Sequence, residues 1–309
     1  MTKSRIILIA GPTASGKSAL ALSLAERIGA AVIINADSMQ VYADLRVVTA
    51  RPTVEEEQRV RHALSGHVPG REAYSVARFV DECAAALAEA EARGEAALIV
   101  GGTGLYFKAL LEGLSPIPPI PDDIRAHVRA RAMAQGAATL HRELSTRDPV
   151  MAARLVPTDT QRITRALEVL EATGQSLDYW QQIPGVPLID PEQARRFVIW
   201  PEREAMMARC DQRFDLMMRQ GALEEVARLR EARLPSDMPI MRALGVRPLI
   251  DYLEGVLTLE HATELAKTET RQFAKRQITW VKRHMIAWKH ISTQQSLQNT
   301  PEFISFIDF

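Results

Sequence analysis

Residues 6–20 read IILIAGPTASGKSAL, and this stretch decides the fold. Its first five residues are apolar and predict a buried strand, while the residues from position 17 onward begin a helix. The loop between them fits the phosphate-binding pattern, and it consists of Gly11, Pro12, Thr13, Ala14, Ser15, Gly16, Lys17 and Ser18. In that pattern the backbone N–H groups and the Lys17 ammonium face a phosphate, and the Ser18 hydroxyl is placed to hold Mg²⁺. The context favours phosphate binding over a chance glycine-rich turn, but it does not say whose phosphate is bound.

The composition limits the classes of partner and compartment. The chain has 309 residues with 38 Lys+Arg and 38 Asp+Glu, so a polyanion has to be bound by a local patch. Cys83 and Cys210 lack the spacing of metal ligands and are interpreted as reduced thiols. No apolar run approaches the roughly 20 residues that span a bilayer, and the amino terminus does not resemble a signal peptide. We expect a cytoplasmic protein without membrane contact.

Strand and helix patterns alternate through the first hundred residues. Strands are predicted at 5–10, 31–35 and 96–100, and helices at 17–28 and from Ser75 to about Arg93. Continuous apolar strands that alternate with helices are typical of a parallel sheet covered on both faces. The predicted fold class is therefore α/β, a P-loop-containing parallel sheet with helices on both faces, plus a mostly helical insertion domain.

Two proline-rich stretches, at 115–123 and 184–192, divide the chain. Because proline fixes the backbone and removes an amide donor, neither stretch is predicted to be a helix interior. Between them, helical patterns cover 122–135, 136–146 and 159–173. We predict four segments: the first part of the α/β core at 1–114, a helical insertion at 115–199, a return to the core with a basic helix at 200–290, and a tail at 291–309.

Polar residues follow two of the predicted strands. Asp37 comes after the second strand, and the carboxyl ends of parallel strands line the ligand crevice. This carboxylate can accept a proton from a nucleophile or hold a metal-bound water, unless it only caps the next helix. The strand at 96–100 is followed by Gly101–Gly104 and not by the aspartate usual in ATPases of this class. Thr103 then offers its hydroxyl into the same crevice, unless the glycines form only a strand-to-helix turn.

Residues 271–290 carry six Lys/Arg residues and no acid. The lysines recur every seven residues, at Lys275, Lys282 and Lys289. A single helix with one basic and one apolar face is predicted. Such a face suits a nucleic-acid backbone, although it is also typical of a solvated helix surface. Arg162 and Arg165 on the insertion, with Arg125 beyond the proline linker, suggest that the insertion also binds a large anionic partner.

Six stretches together resemble the bacterial tRNA dimethylallyltransferase family, also called isopentenyl-diphosphate:tRNA transferases. They are GPTASGKS (11–18), DSMQVY (37–42), YSVARF (74–79), GGTGLYFKALLEGLSP (101–116), QRITRALEV (161–169) and RQFAKRQITW (271–280). The resemblance extends over nearly the whole chain. It implies transfer of a dimethylallyl group from dimethylallyl diphosphate to the exocyclic amine of the tRNA adenosine on the 3′ side of the anticodon. The phosphate loop would then hold the diphosphate leaving group.

The resemblance also implies roles for individual residues. The catalytic set would be Asp37 as the base facing the adenine amine, Thr103 as a hydrogen-bonding residue of the channel, and Lys17. Arg213, in the sequence CDQRFD, would contact the diphosphate together with the loop, and Mg²⁺ would be the cofactor. The residues expected to touch the tRNA anticodon stem-loop are Asp37, Ser38, Met39, Gln40, Thr103, Arg125, Gln161, Arg162, Ile163, Thr164, Arg165, Arg242, Ala243, Leu244, Gly245, Val246, Arg247, Lys275, Arg276, Gln277, Ile278, Thr279, Trp280, Val281 and Lys282. The protein is expected to be a monomer.

Three other functions stay open at the level of sequence. A small-molecule kinase shares the loop and could use Asp37 as a base, although no arginine lid or ATP adenine pocket is identifiable. A prenyltransferase for free adenosine nucleotides would leave the insertion and the basic helix with little to do. A non-enzymatic RNA-binding protein would bind tRNA and leave dimethylallyl diphosphate unconsumed.

Overall fold

The computed structural model describes residues 5–292, which belong to two compact units. The first unit is formed by the chain up to Leu111 together with the chain from Leu188 onward, and the second unit is Glu112–Pro187. Within the described part of the chain, no helix has the length and apolar character that crossing a membrane requires. Most of the tail predicted at 291–309, from residue 293, lies outside the described residues.

Six strands form one sheet in the first unit. They are β1 (Ile6–Ala10), β2 (Ala31–Asn35), β3 (Arg61–Ala63), β4 (Ala96–Gly101), β5 (Arg195–Trp200) and β6 (Lys289–Ser292). Their spatial order is β3-β2-β4-β1-β5-β6, and every pairing is parallel. Three of the four inner strands, β2, β4 and β1, are almost entirely apolar and buried, because helices cover both faces of the sheet. The predicted parallel α/β sheet is confirmed.

Thirteen α-helices lie in the described residues. They are α1 (Lys17–Ile28), α2 (Val54–Arg59), α3 (Val76–Ala92), α4 (Gly104–Glu112), α5 (Asp122–Gln135), α6 (Ala137–Arg147), α7 (Pro149–Ala153), α8 (Thr160–Thr173), α9 (Leu177–Gln182), α10 (Arg203–Arg219), α11 (Ala222–Glu231), α12 (Val246–Leu253) and α13 (Leu259–His284). A 3-10 turn, Pro239–Arg242, precedes α12. Side-chain caps fix several of these boundaries: Ser75, as predicted, accepts a hydrogen bond from the Arg78 N–H at 3.1 Å where α3 begins.

The second unit is a small helical core built from α5 to α9. Its buried apolar side chains include Val128, Leu140, Leu144, Ile163 and Leu167. Arg131 on α5 is ion-paired with Glu143 on α6 at 2.6 Å and with Glu171 on α8 at 2.9 Å. These partly buried pairs connect the three longest helices of the unit.

The carboxyl boundary of this unit differs from the insertion predicted at 115–199. The unit ends at Pro187, because Arg195–Trp200 forms β5. β5 pairs with β1 on one side and β6 on the other, so it belongs to the sheet of the first unit. A four-residue apolar run, 197–200, after a proline-rich stretch carries no local sign of which unit it joins, and its place follows only from strand pairing.

The basic helix ends earlier than the prediction of 271–290, and it begins earlier, at Leu259. α13 ends at His284, and Met285 and Trp288 turn into the core beneath the sheet. Lys289 then begins β6, which pairs with β5. The seven-residue spacing of lysines therefore describes one helix only as far as Lys282, and the third lysine lies on a strand.

A buried carboxylate orders the loop that follows β2. Glu225 on α11 is 5% exposed and accepts hydrogen bonds from the three backbone N–H groups of residues 46–48, at 2.6, 3.0 and 2.9 Å. The same loop offers the carbonyls of Thr49 and Ala50 to the side-chain amide of Gln40, each at 3.0 Å. Glu225 therefore fixes the backbone against which Gln40 is held.

Replacing Glu225 by alanine removes the acceptor of three N–H groups at once. We expect the free energy of unfolding to fall by about 2–4 kcal/mol, because hydrogen bonds to a charged acceptor are each worth about 1.5–3 kcal/mol and water compensates part of the loss. Urea unfolding followed by circular dichroism measures the change. The exposed neighbour Glu224→Ala is the control, and equal stability of the two variants would contradict the assigned role.

Candidate active site

The phosphate loop connects the carboxyl end of β1 to the amino end of α1. The Ser15 N–H donates a hydrogen bond to the Pro12 carbonyl at 3.3 Å, which closes the loop into a turn. The Lys17 Nζ donates to the same carbonyl at 3.3 Å, so the ammonium is folded over the loop. A phosphate bound at the helix amino terminus would meet the backbone N–H groups and this ammonium together.

Two cations and one carboxylate determine the electrostatics of the loop. Burial lowers the pKa of the Lys17 ammonium to about 8; the Asp37 carboxylate opposes this shift, and the Arg213 guanidinium adds to it. Burial likewise lowers the pKa of Arg213. A desolvated cation gains most from a bound counter-charge, so the loop favours an anion.

Helix α10 carries Arg213 to the loop. Cys210 on this helix is buried against Ala274 of α13, and Ala14 of the loop packs on the same apolar cluster. The Arg213 guanidinium donates a hydrogen bond to the Thr13 hydroxyl. Among residues 5–292 no carboxylate forms an ion pair with Arg213, so its charge remains directed at the loop. The predicted diphosphate contact by Arg213 stays a prediction, with this geometry in its favour.

Asn35, the last residue of β2, orients Asp37. The Asn35 Oδ1 accepts from the Asp37 N–H at 2.9 Å, and its Nδ2 donates to the carbonyls of Asp37 and Leu64 at 3.0 and 2.9 Å. The Asp37 Oδ1 accepts from the Met39 N–H at 3.0 Å. Within the described residues no donor is bonded to the other carboxylate oxygen, Oδ2. Asp37 is thus held by its backbone and one oxygen, and the second oxygen is available for a proton.

Thr103 links the glycine turn after β4 to the turn that carries Asp37. Its Oγ1 accepts from the Ser38 N–H at 3.0 Å and donates to the Ser38 Oγ at 3.4 Å. The Thr103 N–H donates to the Ala36 carbonyl at 3.3 Å. Gly101 is required here, because a Cβ at that position would overlap the Ala36 carbonyl. The structure therefore brings the predicted residues Asp37 and Thr103 together.

A cavity of about 260 Å³ adjoins the phosphate loop. Gly11 of the loop lies in its wall together with Ser38 and Thr103. Most of the remaining wall is apolar and includes Phe107, Phe273, Trp280, Val281 and Met285. Arg276 is the one charged residue in the described wall. The cavity suits a small hydrocarbon group next to a bound phosphate.

The residues predicted to touch tRNA divide by exposure. Those with exposed side chains are Gln161, Arg162, Arg242, Arg247, Lys275, Arg276, Thr279 and Lys282. Those with partly exposed side chains are Asp37, Ser38, Met39, Gln40, Thr103, Arg125, Arg165, Leu244, Ile278 and Trp280. Those with buried positions are Ile163, Thr164, Ala243, Gly245, Val246, Gln277 and Val281. Buried side chains pack inside the protein, and the tRNA contacts predicted for all three groups stay predictions.

The side chains at the phosphate loop include one potential ligand for the predicted Mg²⁺. Ser18 lies in the first turn of α1 and is exposed, so its hydroxyl can reach a metal. No group of three or more His, Cys, Asp or Glu side chains suited to a metal ion occurs in residues 5–292. Mg²⁺ commonly keeps several waters and binds phosphate oxygens with one or two protein ligands. The residues therefore fit an ion that is held mainly by a diphosphate.

Asn35 is absent from the predicted site, although the sequence contains a signal for it. The amide ends the otherwise apolar run AVIIN, and a buried amide needs hydrogen-bond partners. That pattern indicates a side chain with a task at the strand end. Which partners it finds, here the Asp37 backbone and the Leu64 carbonyl, depends on the tertiary fold.

The parallel sheet, the loop after β1 and the cations gathered at that loop define a phosphate-loop α/β protein. Comparison with known families identifies the particular kind. Residues 40–284 match the family model described as IPP transferase, and residues 4–67 match the model described as isopentenyl transferase. The chain belongs to the IPP transferase family.

Individual relatives agree with this assignment. The chain is 51% identical to the tRNA dimethylallyltransferase of Parvibaculum lavamentivorans, over 98% of this chain and 96% of the relative. It is 53% identical to the enzyme of the same name from Azorhizobium caulinodans, over 93% of this chain and 91% of the relative.

Solved structures share the fold over nearly the whole chain. The tRNA isopentenylpyrophosphate transferase of Bacillus halodurans matches with a TM-score of 0.70 at 30% identity, covering 99% of this chain and 97% of that one. A eukaryotic dimethylallyltransferase described as acting on tRNA matches with a TM-score of 0.80 at 26% identity, covering 97% of this chain and 79% of that one.

Binding of inorganic diphosphate is expected to weaken as the pH rises through about 8, the pKa of Lys17. Lys17 is protonated below this pH and neutral above it. An anion binds the protonated form better, so above this pH the binding of diphosphate is coupled to the uptake of a proton by Lys17. Isothermal titration calorimetry on either side of that pH measures the affinity. Lys17→Met is expected to bind weakly with a flat profile, and the exposed Lys282→Met is the control. A flat wild-type profile would contradict the assignment.

Proposed function

We propose that the chain transfers a dimethylallyl group from dimethylallyl diphosphate to the exocyclic amine of the adenosine on the 3′ side of the anticodon in tRNA, releasing diphosphate. The chain is a prenyltransferase that modifies tRNA, as its relatives named tRNA dimethylallyltransferase are. We further propose that it acts as a monomer in the cytoplasm, where tRNA is used.

The observation that carries the proposal is the apolar cavity beside the phosphate loop. An allylic diphosphate has a charged diphosphate end, which binds to cations, and a hydrocarbon end, which packs against an apolar wall. The loop with Lys17 and Arg213 suits the first end, and the cavity of about 260 Å³ suits the second. A nucleoside triphosphate would instead need polar partners for its base and ribose.

Departure of the diphosphate is the first part of the chemistry. The bond between the allylic carbon and the diphosphate oxygen breaks, and its electron pair leaves with the oxygen. Lys17, Arg213 and the loop N–H groups stabilise the negative charge that develops there. We propose Mg²⁺ as the cofactor, which when bound would neutralise part of that charge, with Ser18 as its protein ligand.

Attack by the amine is the second part. The adenine has to leave its stack to bring the exocyclic nitrogen to the allylic carbon, as enzymes that act on a base generally require. A nitrogen–carbon bond forms, and the nitrogen loses a proton to the available oxygen of Asp37. Asn35 holds the Asp37 backbone, the Met39 N–H holds one oxygen of the carboxylate, and Thr103 holds the adjoining turn through Ser38.

The exposed cations of α13 support tRNA as the acceptor. Lys275, Lys282 and Arg283 are exposed, whereas the residues buried on the same helix include Ala274, Gln277 and Val281. The helix thus has a basic face in a chain without net charge. A free adenosine nucleotide would have no use for this face, which favours tRNA over the small acceptor.

Nucleoside mass spectrometry after incubation with tRNA, dimethylallyl diphosphate and Mg²⁺ tests the function. We expect one adenosine to gain a dimethylallyl group. Asp37→Asn is expected to lower single-turnover transfer by roughly 10²- to 10⁴-fold, because a positioned base acts in the transition state, while tRNA affinity is retained. Asp81→Asn, exposed on α3, is the matched control.

Other outcomes of this experiment favour other functions. Phosphoryl transfer from labelled ATP without prenyl transfer would support a kinase. Binding of tRNA with no consumption of dimethylallyl diphosphate would support a non-enzymatic RNA-binding protein. Wild-type transfer by Asp37→Asn would remove Asp37 from the mechanism while leaving the prenyltransferase intact.

Replacing Lys275, Lys282 and Arg283 together by glutamine is expected to weaken tRNA binding strongly at low salt and less at high salt. Each tRNA phosphate that the variant no longer neutralises should flatten the log–log salt dependence by about 0.7–0.9, because fewer counterions are released. Affinity for dimethylallyl diphosphate should hardly change, since that ligand is bound by the loop. A salt titration of tRNA binding measures the slopes, and parallel slopes would mean that this face is only solvated.

A further inference from the structure

One polar side chain interrupts the apolar buried side of α13 in an unusual way. The buried positions of this helix include Ala266, Thr270, Ala274, Gln277 and Val281. The Thr270 hydroxyl donates to the Ala266 carbonyl of its own helix at 2.8 Å, so it needs nothing from outside. Gln277 is only 8% exposed and makes no such local bond, so its amide has to find partners in other elements.

The Gln277 amide bridges two turns of the site. Its Oε1 accepts from the backbone N–H of Thr13 in the phosphate loop at 2.8 Å. Its Nε2 donates to the carbonyl of Gly102 in the turn after β4 at 2.9 Å. A Cβ at Gly102 would collide with the Gln277 Nε2, so glycine is what lets the amide come this close. One acceptor and one donor on a single side chain match one N–H and one carbonyl on two turns.

We infer that Gln277 is a positioning residue for the transfer reaction. It fixes the phosphate loop relative to the turn that carries Thr103, and thereby the diphosphate relative to the acceptor. The inference rests on the proposed function for its chemistry, and on the two hydrogen bonds for its geometry. Thr13 is held twice, by Gln277 at its N–H and by Arg213 at its hydroxyl, so the loop is set from α13 and α10 together.

The bridging residue and the exposed cations lie on different faces of the same helix, α13. The exposed face carries Lys275 and Lys282, and the buried face carries Gln277 between them in sequence. The helix that offers its cations to a polyanion is therefore the helix that holds the phosphate loop. A purely space-filling side chain at this position would not need an amide, because an apolar residue of similar length fills the same volume.

Gln277→Met tests the inference, because methionine has similar length and neither hydrogen bond. Gln272→Met, exposed on the same helix, is the matched control. We expect Gln277→Met to raise the KM for dimethylallyl diphosphate and to lower kcat, with kcat/KM falling roughly 10- to 100-fold, as small displacements of reacting groups typically do. The affinity for tRNA should stay within about twofold of the wild type.

A binding measurement, which needs no turnover, tests the positioning role of Gln277 independently of the proposed transfer reaction. Calorimetry with inorganic diphosphate should give weaker binding for Gln277→Met than for Gln272→Met. Gln277→Glu keeps an acceptor for the Thr13 N–H but adds a negative charge beside the anion and loses the donor to Gly102, so it should bind diphosphate more weakly still. If Gln277→Met does not fold, the comparison of Gln277→Glu with Gln272→Glu carries the test.

The outcomes are distinguishable. A wild-type enzyme that transfers no prenyl group would contradict the proposed function, and the diphosphate affinities would still test the bridge. A Gln277→Met variant with a lowered melting temperature but wild-type KM, kcat and diphosphate affinity would show that the amide only stabilises the fold. That result would overturn the inference, and a loss of diphosphate affinity specific to position 277 would support it.

Discussion

The parallel pairing of β4 with β1 on one side and with β2 on the other is the constraint on which the site depends. Its register sets Ala10 beside Gly101 and Asn35 beside Val100, so all three strands end at the same edge. The pairing continues past β2, where the Ala36 N–H donates to the Val100 carbonyl at 2.8 Å. The phosphate loop, the carboxylate turn and the glycine turn therefore meet in one crevice, although they are far apart in the sequence.

The neutral net charge of the chain conceals a local separation of charges. Many arginines are neutralised by partners, as Arg131 is by two glutamates in the second unit. At the phosphate loop, Lys17 and Arg213 face a single nearby carboxylate, Asp37. Desolvated cations at the loop suit a small anion, and hydrated cations on the surface of α13 suit a long one. The two kinds of ligand are thus distinguished by depth of burial and not by overall charge.

Much of the inner sheet could be predicted from the sequence because its signals are local. The strand Ala31–Asn35 and the helix Lys17–Ile28 have the predicted bounds, since continuous apolar runs and terminal glycines mark them. The edge strands β3 and β6 could not be predicted. They have three and four residues with several polar side chains, and their extended form comes from pairing with β2 and β5.

The site likewise contains residues that the sequence could predict and residues that it could not. A loop motif and strand-end positions predicted that Lys17, Asp37 and Thr103 belong together, and the fold brings them together. The inward direction of Gln277 was not predicted, although it lies three residues after the buried Ala274 and four before the buried Val281. Periodicity shows that such a side chain is buried. It cannot show that the amide finds an N–H and a carbonyl on two other segments.

The wall of the cavity has a chemical consequence. Phe107, Phe273, Val281 and Met285 offer no hydroxyl, amide or carboxylate that would hold a water molecule in place. A carbon that is losing its diphosphate reacts with whichever nucleophile lies next to it, and water is the most abundant competitor in any cell. In the proposed reaction, this apolar part of the wall would hold few waters next to the donor before the acceptor amine enters. For the proposed donor, the hydrocarbon lining would therefore favour transfer to the nucleic acid over loss to solvent.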